Sequence, residues 1–313
     1  MANIVFYSLS PALRMQRRLR VILPDSRRND TNLPWLLLLH SAGADGSRWL
    51  RMTRAEYYAE AKGIALVLSD GDNGYYTDMY HGYAYYTYLT EDVEADVLRN
   101  FPSLSRDPQR RYVAGFEIGG FGALKYALDF PDRFRAAGSF AGGLDPQSLD
   151  PDYCVLAFGS YKQAWQTEND LFNCLRTALT DDARLPDLYF SRRQQDYLYT
   201  VTDQATVSDR VTDPDCVTNP NYAAARDGDV ASDSAMTSGH TIRVGRLNFN
   251  SADPWSFADR SLAWFLDRIC PDRARLFTPS ADFAEWDPTV TMSAASPAAD
   301  NSAISLPDSL AKE

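Results

Sequence analysis

Apolar runs and amphipathic stretches alternate along the chain. Leu19–Leu23, ended by Pro24, has the pattern of an early strand. Residues 35–40 (WLLLLH) form a continuous apolar run between turn signals, the pattern of a strand buried on both faces. The same pattern recurs at 64–69 (IALVLS), 111–114 (RYVA), 136–140, 188–191 and 241–249 (TIRVGRLNF). Helical spacing predicts helices between them, at 54–61, 91–101, 121–130 and 257–269. Buried strands alternating with helices give the α/β class, a mostly parallel sheet with helices on both faces. The rhythm predicts one domain over residues 1–275. It breaks at 202–238, rich in Asp, Thr, Ala and Ser, which reads as a long surface excursion. It breaks again in the tail, 276–313, where Phe283 and Trp286 are expected to dock before the chain dissolves into Ala, Ser, Pro and Asp.

Composition narrows the function classes. The 313 residues are 45% hydrophobic and 23% charged, with a formal charge of −11. An acidic chain is poorly suited to nucleic acid or anionic membranes, whose phosphates call for basic patches. No run reaches the roughly 18 apolar residues of a membrane span. The first 20 residues carry arginines but no apolar core of a secretory signal. Cys154, Cys174, Cys216 and Cys270 have neither metal-site spacing nor disulfide density, which predicts a cytoplasmic protein. Only His40, His81 and His240 are available to a histidine-dependent mechanism.

The segment 110–130, RRYVAGFEIGGFGALKYALDF, carries the most specific signal. A short buried strand enters Gly115-Phe116-Glu117-Ile118-Gly119-Gly120 and a helix follows at once. This is the form of the nucleophile elbow, a G-x-S-x-G turn whose flanking glycines make room for a central residue in a strained backbone conformation. Here the central residue is Glu117. Together with LLLLHSAGADGSRWL (36–50), SDGDNGYYTDMYHGYAYYTYL (69–89) and QQDYLYT (194–200), the elbow resembles the tributyrin esterase group of α/β-hydrolases, relatives of esterase D and S-formylglutathione hydrolase. The resemblance covers roughly residues 1–270 and implies an α/β-hydrolase fold. It also implies an oxyanion loop at His40-Ser41, where the family usually has His-Gly, together with Ile118 after the elbow. The nucleophile position falls on Glu117 and the acid position on Asp196. The histidine position falls on Asp253, in Ser251-Ala252-Asp253-Pro254-Trp255.

Nucleophile and base are thus both carboxylates. His240 precedes the last predicted strand; eight residues at about 3.3 Å place it some 25 Å from the strand ends where such sites gather. His40 and His81 lie on loops leaving those ends; a hydrogen-bonded loop role and a surface position among tyrosines are the simpler readings. If Glu117, Asp196 and Asp253 converge, two carboxylates about 4 Å apart repel by roughly 4 kcal/mol at an effective dielectric of 20. That is about three pKa units, so Glu117 is expected to titrate high unless a cation intervenes, with Arg192 and Arg193 near in sequence. Four outcomes stay open: a carboxylate nucleophile, acid/base work of the glycosidase kind, a hard-cation cup, or a pocket that has lost esterase chemistry. The expectation is the last, without cofactor or metal. A protein-interaction role for 202–238 or the tail is the remaining class. Tyr75, Tyr76, Tyr80, Tyr83, Tyr85, Tyr86 and Tyr88 crowd one loop beside His81, with faces and polar tips that suit an acyl ester or acylated carbohydrate; about half, Tyr85 and Tyr86 among them, are expected to pack in the core. Self-association is left open.

Overall fold

Residues 1–143, 151–164, 167–180, 184–193, 242–247, 253–277 and 283–286 are described here, from a computed structural model. Strands β3 (Trp35–Leu39), β4 (Ala65–Ser69), β5 (Arg111–Phe116) and β6 (Ala136–Phe140) are buried along their whole length. This is why their sequences are continuously apolar and do not alternate. With β7 (Asp187–Arg193) and β8 (Ile242–Leu247) they form the parallel centre of one sheet. A hairpin of β1 (Ala2–Ser10) and β2 (Met15–Leu23) joins antiparallel through β2 on β4. At the far edge β9 (Phe283–Trp286), carrying both tail anchors, pairs antiparallel with β8. The strand order is β1-β2-β4-β3-β5-β6-β7-β8-β9.

Helices cover both faces. On one lie α3 (Tyr85–Thr87), a π-helical turn (Tyr88–Val93), α4 (Glu94–Asn100) and α5 (Ile118–Asp129). Here Val93, Val97, Phe121 and Leu124 pack on Leu37, Val67 and Val113, joined by Leu171 and Leu175 of α8 (Leu171–Thr180). The short helices α6 (Pro151–Phe158) and α7 (Tyr161–Ala164) add Cys154, Phe158 and Ala164 to the same cluster. On the other face α1 (Ser47–Met52), α2 (Ala55–Lys62) and α9 (Pro254–Ile269) bury Trp49, Tyr58, Phe257, Leu262 and Phe265 against Leu36, Leu38 and Phe140. Lys62, buried, is paired with Asp267 at 2.7 Å and donates to the Cys270 carbonyl at 3.0 Å, fastening α2 to the end of α9.

Each predicted strand and helix is present, with ends shifted by up to four residues. The pattern does not predict β1, because its solvent face carries Val5, Tyr7 and Leu9 and so lacks polar contrast. Nor does it predict α1 or α6 to α8. The excursion 202–238, His240 and the tail beyond residue 286 lie outside the described residues. Among the described residues no helix is long and apolar enough to cross a membrane, and Cys154, Cys174 and Cys270 are free thiols.

Candidate active site

The loops at the carboxyl ends of the parallel strands concentrate backbone strain. Of the six non-glycine residues with positive φ among those described, five lie there: Asp72, Tyr75 and Tyr76 after β4, Glu117 after β5 and Ala141 after β6. Strain of this kind persists only where neighbours over-determine it, and it gathers at functional sites.

Glu117 holds φ 51° and ψ −116° between β5 and α5. Its N–H donates to the Phe140 carbonyl at 2.9 Å and its own carbonyl accepts from Phe121 N at 3.0 Å, so the backbone is held from both sides. The flanking glycines are sterically required. A Cβ on Gly115 would lie 2.2 Å from the Gly119 oxygen, and one on Gly119 would lie 2.5 Å from the Leu39 oxygen and 2.6 Å from the His40 oxygen. The elbow is therefore built as the spacing predicts, with a half-buried glutamate at its centre. The Glu117 side chain does not cap α5. Ile118, buried, opens the helix, and by position its N–H has no acceptor within it.

His40 and Ser41 are buried at the end of β3. The His40 Nε2 accepts from Gly71 N at 2.9 Å, which leaves the proton on Nδ1 to donate to the Ser41 carbonyl at 2.8 Å. Both ring nitrogens are used, and burial holds the imidazole pKa below its ordinary value. His40 is thus a neutral structural group of the loop. Its N–H donates to the Tyr76 hydroxyl oxygen at 2.9 Å. Tyr76, expected from its aromatic loop to face a ligand, is fully buried, its ring wedged where side chains on Gly71 and Gly122 would stand; burial pushes its hydroxyl well above the ordinary range. Gly43 N to Asn73 Oδ1 at 2.7 Å and Gly46 N to Asp70 Oδ1 at 2.8 Å complete the clamp between the two loops.

His81 is exposed, edge-on to Tyr80 with ring centroids 4.5 Å apart. The backbone bonds Tyr80 N to Ala157 O (2.9 Å) and His81 N to Leu156 O (3.1 Å) lay this loop along α6. This segment carries exposed Tyr80 and Tyr83, and α6 carries exposed Val155 and Leu156. Tyr85 is buried as expected and donates to Asp72, while half-buried Tyr86 donates to Asp129.

Asp253 is the exposed N-cap of α9. Its carboxylate accepts from Trp255 N at 3.1 Å, Ser256 N at 3.2 Å and the Ser256 hydroxyl at 2.8 Å. The Ser256 hydroxyl bond foremost, then the backbone bonds and the field of Arg48, keep its pKa below the usual carboxylate range. An aspartate followed by proline at the first helical position is a helix-start signature, so this role is legible in Asp253-Pro254. Asp196 lies outside the described residues, as do the side chains of Arg192 and Arg193. Among the described residues, Arg48 of α1 contributes a positive field at Asp253, for which the sequence gives no signal. Its guanidinium lies 5.8 Å from the Trp255 ring centre, and Trp255 packs edge-on to Phe116, the residue before Glu117, at 5.5 Å. Asp253 is thus linked to the elbow through Trp255. Among the described residues no group of His, Cys, Asp and Glu is arranged to hold a metal.

Comparison with known proteins agrees with this geometry. The family model Esterase ("Putative esterase") matches residues 10–306. Esterase Rv1288 of Mycobacterium tuberculosis is 31% identical over 140 residues, 42% of this chain and 30% of the relative. S-formylglutathione hydrolase of Paracoccus denitrificans is 28% identical over 169 residues, 46% of this chain and 58% of the relative. The chain therefore spans well under two thirds of the length of these curated relatives. Among solved structures, the fluorophosphonate-binding serine hydrolase F of Staphylococcus aureus superposes with a TM-score of 0.69 at 23% identity, over 86% of this chain and 98% of that one. The fold is that of the α/β-hydrolases.

Proposed function

The chain belongs to the Esterase family, and on that premise we propose that it is a member with a degenerate triad, without serine-esterase turnover, that keeps a small pocket for an acyl ester or acylated carbohydrate. One observation carries this: the strained elbow is intact, and a glutamate occupies it. Acyl transfer by this family's route needs a hydroxyl whose proton a histidine removes and later returns to the leaving group. A carboxylate at position 117 has no such proton. An acyl-glutamate, were it formed, would be a mixed anhydride whose hydrolysis calls for a base to activate water. Asp253, engaged with three donors and held at a lowered pKa, is a poor base for that step. By the family resemblance Ser41 and Ile118 would supply the oxyanion donors, and the exposed apolar side chains of Tyr80, Tyr83, Val155 and Leu156 would offer surface to an ester-shaped ligand.

Hydrolysis of p-nitrophenyl acetate and butyrate tests this. The protein is expected to show none above background, and Glu117→Ser combined with Asp253→His is expected to gain it. Turnover by the unaltered protein that disappears in Glu117→Gln would overturn the proposal and assign the chemistry to the carboxylate itself.

A further inference from the structure

The outer edge of β1 is built to pair. Proteins blunt exposed sheet edges with short strands, proline, bulges or charged side chains. The opposite edge follows that rule, since β9 is four residues long. β1 does not. Its nine residues, ANIVFYSLS, match β2 one for one without a bulge, and they contain neither proline nor charge. In a chain that is 23% charged with a net −11, a stretch free of charge is where two copies meet without like charges opposed. The strand is also fixed in place. On its inner face Phe6 packs on Phe101 with centroids 5.6 Å apart, and Ser8 and Ser10 donate to Asp96 and Asp92. On its outer face Val5, Tyr7 and Leu9 stand 40%, 67% and 67% exposed; with Met1 they are four of the ten large hydrophobic residues exposed among those described.

We propose that β1 is a homodimer interface, in which a second copy of this chain adds its own β1 antiparallel across a two-fold axis. Of the symmetric registers, the one centred on Phe6 pairs all nine residues, leaving no backbone group of the edge unmatched. It sets Val5 opposite the partner's Tyr7 and Asn3 opposite the partner's Leu9. β-branched and aromatic residues directly opposed are favourable cross-strand pairs. The edge matches its own copy because the two-fold is self-complementary, and the contact closes at two chains rather than propagating.

The register gives a specific test by light scattering or sedimentation equilibrium on the full chain. The unaltered protein is expected to be dimeric at micromolar concentration. Val5→Glu alone or Tyr7→Glu alone should make it monomeric, each placing a charge against an apolar partner. Val5→Glu with Tyr7→Lys should restore the dimer, since every Glu then faces a Lys across the axis, in the manner of cross-strand ion pairs. Both positions are exposed, so the melting transition of the monomeric variants reports that folding is intact. A protein that stays monomeric up to the highest soluble concentration would overturn the proposal. So would a dimer indifferent to both single substitutions, or a double variant no more dimeric than Tyr7→Lys alone.

Discussion

At almost any position of a folded chain, alanine is more stabilising than glycine; at position 117 the order should reverse. Glu117 holds φ 51° and ψ −116°, a conformation that crowds any Cβ against the backbone. The turn cannot relax, because Glu117 N is bonded to Phe140 O, Glu117 O to Phe121 N, and Gly119 abuts the Leu39 and His40 carbonyls. A non-glycine residue held in so sparse a region costs about 1–3 kcal/mol. Glycine avoids that cost but loses roughly 0.4–1 kcal/mol through the greater freedom of the unfolded chain. Comparing Glu117→Gly with Glu117→Ala removes the carboxylate and its contacts from both sides, so only the Cβ differs. Glycine should win by about 1 kcal/mol, a melting difference of about 2 °C in a chain of this size. Urea titration of both variants in parallel measures it. Alanine equal to or more stable than glycine would refute the claim that strain is stored at this turn.

Further predictions rest on other contacts. Gly119→Ala should cost about 2–3 kcal/mol in urea unfolding, since its Cβ would press on fixed backbone oxygens at 2.5 and 2.6 Å. Lys62→Met should destabilise by about 3 kcal/mol by stranding Asp267 without its counter-charge, and adding Asp267→Asn should recover part of the loss. His40 is neutral in the fold with its pKa held below the ordinary 6.5, so on acidification the unfolded chain binds this proton first. Its contribution is therefore intact above about pH 6.5 and shrinks below it, by at most about 1.4 kcal/mol per pH unit. The stability gap between the protein and His40→Gln should narrow between pH 7.5 and 5.5, and an unchanged gap would contradict the neutral assignment. Asp253→Ala should cost about 1 kcal/mol through loss of the α9 cap, read from the thermal midpoint.

The central strands were legible because burial on both faces writes itself as an uninterrupted apolar run, as in WLLLL and ALVLS. The elbow was legible because steric exclusion at Gly115 and Gly119 leaves only one residue type there. β1 was not, since its exposed apolar side chains erase the alternation that marks a half-buried strand. At the site, Asp253 could be placed by spacing but its capping work is a matter of helix-end geometry, legible in the following proline. Tyr76 and Tyr80 look alike in sequence, and only the tertiary fold buries the first and exposes the second. Arg48 reaches Trp255 and Asp253 across some two hundred residues, a pairing that no local pattern encodes.

The turn at residue 117 also bears on how such a protein can change its trade. Its shape is imposed by the Phe140 carbonyl, the two glycines and the end of β3, none of which depends on the side chain that the turn displays. Position 117 is therefore a socket: a hydroxyl, a carboxylate or a methyl group can be exchanged there without re-educating the fold around it. A lineage can abandon one chemistry, persist as a binder, and later take up another by single steps, because the costly part of the device, the bent backbone, is inherited intact.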